Sequence, residues 1–152
     1  MVIPVDIDVN LLAALGKGFS WEKPACCPKC GGRLWWHGFV PAYFSCLALA
    51  VLLRRLFCPH CHSVHRLRPS SHWRRFQSPI SVISQIIAHR QENGRWRPDL
   101  PRAPQRQWWR RLATKVQLCL GLSFAGTFPD AFLILMNRGA IPVSSVMECG
   151  DG

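Results

Sequence analysis

The chain has 152 residues, 49% of them hydrophobic, with 19 Lys and Arg against 8 Asp and Glu, giving a formal net charge of +11 and a pI near 10.0. That hydrophobic fraction excludes a disordered chain, and the length allows one domain or two small ones. Positive charge threaded through aromatic-rich sequence points to a polyanionic partner, nucleic acid in preference to membrane.

Residues 1–25 read as a lead-in. Val9 to Leu15 is an apolar run behind Asp8, a good N-cap, and it stops at Gly16 and Gly18, which predicts a short helix. Trp21, six residues before Cys27, is expected to cover the apolar side of the cysteine-bearing segment. The N-terminus lacks the basic region and apolar run of a secretory signal, so the expected location is the cytoplasm, where cysteines stay reduced.

Residues 26–69 carry the strongest signal. Cys27-Pro28-Lys29-Cys30 and Cys58-Pro59-His60-Cys61 are two Cys-Pro-x-Cys turns, and each puts two sulfurs on one side of a tight loop. Brought together, the four thiolates form the tetrahedral environment that Zn²⁺ prefers, and Gly31-Gly32 permits the backbone such a knuckle needs. The intervening stretch fits two strands, near 33–40 and 44–57 with Pro41 at the turn, so the implied unit is a zinc ribbon. Cys26, in C-x3-C spacing with Cys30, competes for a ligand place; Cys46 reads as a small buried strand residue. His60, His62 and His65 crowd the second knuckle as alternative ligands or as exposed donors.

Residues 70–115 change character. From Arg54 to Lys115 there are 14 basic and 2 acidic residues, so nearly all the excess charge is local to this stretch. Arg54, Arg55, Arg66, Arg68, Arg74, Arg75, Arg95 and Arg97 alternate with Trp73, Phe76 and Trp96, a composition suited to phosphate contact. Ser78-Pro79 starts a helix whose Ile80, Ile83, Ile86 and Ile87 recur at helical spacing until Asn93-Gly94. A second helix is expected from about Pro104, with Gln105, Arg106, Gln107, Arg110 and Arg111 offered to a DNA groove. Residues 116–152 form an apolar C-terminal segment. Neither Phe39–Leu53 nor Val116–Met136 has the roughly 20 uninterrupted apolar residues of a membrane span, so no membrane association is expected.

CPKCGGRLWWHGF, LLRRLFCPHCHSVHRLRPS, FQSPISVISQII and QRQWWRRL together resemble the zinc-ribbon plus helix-turn-helix modules of bacterial insertion-sequence transposases and their small accessory proteins, over roughly residues 21–115. The resemblance implies Cys27, Cys30, Cys58 and Cys61 as zinc ligands and Arg106, Arg110 and Arg111 on a DNA-reading helix. Whole transposases of this kind continue into a catalytic domain with three metal-binding carboxylates. The acids here, Asp6, Asp8, Glu22, Glu92, Asp99, Asp130, Glu148 and Asp151, are too scattered for that, and no phosphate loop, nucleophile elbow or HExxH helix is present.

The expectation is therefore an α+β protein, a small four-cysteine ribbon followed by a helix-turn-helix-like region. Its expected function is non-enzymatic DNA binding at the bacterial nucleoid, as an accessory or regulatory subunit of a mobile element. A transposase or recombinase is the expected protein partner, and a homodimer is compatible. The alternatives are an RNA-binding subunit, a transcriptional regulator and a ribbon adaptor for a protein partner.

Overall fold

The computed structural model describes residues 1–150; Asp151 and Gly152 lie outside the described residues. The chain divides between Pro79 and Ile80 into two compact units.

The first unit is a four-stranded sheet in the order β1-β4-β3-β2, built from β1 (Val2–Val5), β2 (Trp35–Ala42), β3 (Val51–Phe57) and β4 (Val64–Pro69), with α1 (Val9–Leu15) after β1. β2, β3 and β4 are antiparallel neighbours, and β1 adds to β4 in parallel, Val2 opposite Arg66 and Val5 opposite Pro69. α1 forms as expected, with the Asp8 carboxylate accepting from the backbone N–H of Asn10 at 2.7 Å and of Leu11 at 3.3 Å.

Strand alternation splits the hydrophobic residues of β3 between two faces. Val51 and Leu53 point to one side, where they pack with Val9, Leu12, Ala42 and Phe44. Leu56 and the following Cys58 point to the other, packing with Cys27, Leu34 and Leu67. Trp21 is half-buried against both clusters, in keeping with its expected covering role.

Several sequence expectations are corrected here. The second strand starts at Val51, because residues 43–50 form the connection; Cys46 lies in that connection and is exposed. Pro41 sits inside β2, tolerated because β2 is an edge strand with no further neighbour needing its N–H. Between Trp36 and Phe39 the pairing with β3 shifts, since three steps along β2 match only two from Leu56 to Arg54. This bulge keeps Trp36 and Phe39 on the side of Arg54, whose guanidinium lies 4.8 Å and 4.4 Å from their ring centres.

The second unit is helical: α2 (Ile80–Asn93), α3 (Arg102–Lys115) with a π-turn over Val116–Leu120, and α4 (Phe128–Asn137). α2 matches its predicted span to within a residue and buries Ile83, Ile86 and Ile87. α3 starts two residues before the expected Pro104 and buries Trp108 and Leu112. Pro129-Asp130, which reads in the sequence as a break, begins α4: the Thr127 hydroxyl accepts from the Asp130 N–H and the Asp130 carboxylate accepts from Thr127. Cys119 and Cys149 form a disulfide, which departs from the expectation that the cysteines stay reduced. No helix of the described residues is long and apolar enough to cross a membrane.

Candidate functional site

The two Cys-Pro-x-Cys turns come together at the end of the sheet where β3 stops and β4 begins. The Cys27, Cys30, Cys58 and Cys61 sulfurs all lie within 4.8 Å of one another, with Cys27–Cys61 at 3.7 Å and Cys30–Cys58 at 3.5 Å. Four thiolates set tetrahedrally about 2.3 Å from one ion stand about 3.8 Å apart, so this cluster can hold a metal ion. Cys26 is exposed and outside the cluster, which resolves that competition in favour of Cys27.

Both turns are closed by their own backbone. In the first, Cys27 N–H donates to Gly32 O and Gly31 N–H to Cys27 O, each at 2.8 Å; in the second, Cys58 N–H donates to Ser63 O at 3.0 Å. The residue after each second cysteine is left-handed, Gly31 at φ 74° and His62 at φ 56°. A Cβ at Gly32 would come within 3.0 Å of the His60 Cβ and 3.3 Å of the Cys30 sulfur, so the approach of the two knuckles requires glycine there.

Four thiols without a countercharge cannot all ionise. Cys61 is drawn down to about 6, first by the Ser63 hydroxyl, while Cys30 is pushed up to about 12: the Gly32 N–H opposes the rise, but burial and the three neighbouring sulfurs drive it. A divalent cation held by these four residues would supply positive charge and let all four act as thiolates.

The three histidines separate. His60 and His62 are exposed, but His65 is fully buried, with Nε2 3.2 Å from the Cys27 sulfur. His65 is therefore neither a surface donor nor a member of the sulfur cluster; its Nε2–H is placed to donate to a ligand thiolate, the orienting role that supports metal ligands in general. The signal was present in β4, where His65 alternates with buried Leu67.

The basic residues also separate. Arg55 and Arg66 are direct cross-strand partners, and Arg68 follows two residues on, so the three share the sheet face opposite the sulfurs. The loop after β4 returns Arg74 and Arg75 to the same place, and the five arginines line one cavity of about 400 Å³. Arg68 is only 7% exposed, with its Nη2 donating to Phe76 O at 2.7 Å and its guanidinium 5.0 Å from the Phe44 ring centre.

In the second unit Arg95, Arg106, Gln107 and Arg110 are exposed and Arg111 is half-buried. One expected nucleic-acid contact is corrected, Gln105, and a second, Arg97, carries an ion pair of its own. Gln105 is 1% exposed; its side-chain carbonyl accepts from Arg97 N–H at 3.0 Å and its amide donates to the carbonyls of Arg97, Leu100 and Pro101, so it locks the connection between α2 and α3. Arg97 is engaged internally, bonded to both Asp99 carboxylate oxygens, the shorter at 2.6 Å, and to Gln85.

No family model, no curated protein and no solved structure matches the chain. The functional reading consequently rests on the residues themselves.

Proposed function

We propose that the chain is a zinc-stabilised DNA-binding protein without catalytic activity, acting as an accessory or regulatory subunit of a transposon or other mobile element. The observation that carries this reading is the pairing, within one small sheet, of a closed four-sulfur cluster on one face with five arginines on the other. Zinc is favoured because an all-sulfur, tetrahedrally spaced site is its usual structural environment, and a site with four protein ligands leaves no position for an activated water. DNA is favoured because the basic residues present guanidinium groups, which match phosphates and guanine edges in a fork. The transposon context comes from the resemblance of the two knuckles and the basic strand between them, and a transposase or recombinase would be the partner.

Binding to duplex DNA over a salt series tests this. If six cations contact phosphate, log K against log salt has a slope of about −5. Arg74→Ala weakens all sequences alike, whereas Arg106→Ala on exposed α3 relaxes the choice of base at one position by about 1 to 3 kcal/mol. A slope near zero rejects the reading. Tighter binding to single-stranded RNA at equal salt replaces it with the RNA-binding alternative.

A further inference from the structure

The cavity lined by Arg55, Arg66, Arg68, Arg74 and Arg75 holds more positive charge than its surroundings balance. Among the described residues the sole salt bridge is Arg97–Asp99 in the other unit, so none of the five has a carboxylate partner. Two of the guanidinium groups also keep a buried Nε–H without any hydrogen-bond partner, Arg55 and the almost fully buried Arg68. Like charges facing each other across adjacent strands, as Arg55 and Arg66 do, repel, and a buried donor left unsatisfied costs stability. Burial together with the charge of Arg66 lowers the pKa of Arg68, yet an arginine does not lose its proton in a protein. Such a group is stabilised by an anion.

We propose that this cavity is a phosphomonoester site, taking the terminal phosphate of a nucleic-acid strand or the same group on a nucleotide or as inorganic phosphate. The guanidinium fork matches phosphate oxygens two at a time, and the Phe76 carbonyl and Phe44 ring hold the Arg68 fork in position beforehand. A monoester carries between one and two negative charges at neutral pH and projects as a chain end, whereas an internal diester carries one and continues on both sides. The volume, about 400 Å³, exceeds that of a phosphate alone and leaves room for the sugar behind it. Arg75, at φ 68°, holds a left-handed conformation uncommon outside glycine, as residues that clamp ligands often do. The strand-end source rests on the nucleic-acid reading above; the phosphate site does not.

The test follows the Arg55 and Arg68 Nε–H signals by NMR in the metal-loaded full chain. Inorganic phosphate is added first, then a thymidine octamer carrying a 5′-phosphate, and in parallel the same octamer with a 5′-hydroxyl. Both signals are expected to shift with inorganic phosphate and with the phosphorylated octamer. The phosphorylated octamer should bind about tenfold more tightly than its hydroxyl counterpart, as loss of one set of charge-assisted hydrogen bonds implies. R66Q/R74Q should bring that ratio to about one, and R75Q at the exposed rim provides the same readout if the double variant does not fold. Signals unmoved by both phosphate-bearing probes overturn the proposal. Signals that move with phosphate in a protein that binds no nucleic acid keep the site and reject the DNA-binding reading instead, and equal binding of the two octamers with a phosphate shift assigns the site to free phosphate or nucleotide.

Discussion

The two units of this chain treat their buried polar groups in opposite ways. In the second, Gln105 uses both ends of its amide on four backbone groups, and buried Lys115 donates to Ile141 O and Ser144 Oγ. In the first lie all the buried side-chain nitrogens that lack a partner among the described residues, those of Trp21, Arg55, His65, Arg68 and His72. The first also gathers four thiols with no countercharge, whereas the second joins two of its cysteines covalently. A small unit tolerates uncompensated charge when something outside the chain balances it, and here a cation on one face would balance the four thiolates and an anion on the other the five arginines. The helical unit closes on itself.

The largest effect that can break this comparison is metal removal. Zinc binding by small cysteine sites has an apparent free energy on the order of 10 kcal/mol or more, most of it folding energy. A strong chelator, or Cys58→Ser, should therefore unfold the sheet unit while the helical signal in circular dichroism persists. A sheet that survives with no bound metal would show that the first unit is as self-sufficient as the second. Next in size is Gln105→Leu, which strands one N–H and three carbonyls at the connection between α2 and α3. It should destabilise the helical unit by roughly 3 kcal/mol in urea unfolding and leave zinc content unchanged. Loss of zinc in that variant would mean that the two units fold as one.

The smallest effect sharpens the picture of the sheet unit. His72 is buried against the Phe44 ring, 4.5 Å between centres, and burial followed by the charge of Arg68 lowers its pKa to about 4. The unfolded chain, with histidine near 6.5, then holds more protons than the folded chain between about pH 6.5 and 4. Stability of the unit should fall as the pH drops through that window, by on the order of 2 kcal/mol from this group, and stay level above it. Because acid also releases zinc, the check is the His72 ring signal in metal-loaded protein; titration near 6.5 would show the ring to be open to water.

What the sequence discloses and what it hides divide along the distance over which each feature is encoded. The cysteine turns, the Asp8 cap and the isoleucine face of α2 are written within a few neighbouring residues, and all appear where expected. β1 was not legible, because a short apolar segment interrupted by Pro4 becomes a strand only when β4 is there to pair with it. The arginine cavity depends on the same long-range information: Arg66 and Arg68 are visibly on one face, but only the register of β3 puts Arg55 beside them. Gln105 misled for a different reason. A polar residue at the start of a basic helix looks like a reader of bases, and nothing local tells that three carbonyls of the preceding connection converge on it.

The bulge in β2 also determines which changes of chain length this protein can absorb. Because one extra residue sits between Trp36 and Phe39, the part of the strand leading from the first knuckle and the part leading to Ala42 each stay in phase with β3. Deleting either His37 or Gly38 would remove the bulge yet leave both parts paired with β3 as they are, whereas deleting a residue elsewhere in the strand would turn over the part beyond it. Loss of Trp35 would take Leu34 from its place beside Cys27, and loss of Val40 would take Ala42 and Phe44 from theirs beside Leu12 and Leu53. Substitution of exposed His37, by contrast, changes neither core, while Gly38, at φ 80°, favours glycine. Variation along the edge strand is thus expected as exchange of residues at constant length, with changes of length confined to the bulge at residues 37–38 and the connection over residues 43–50.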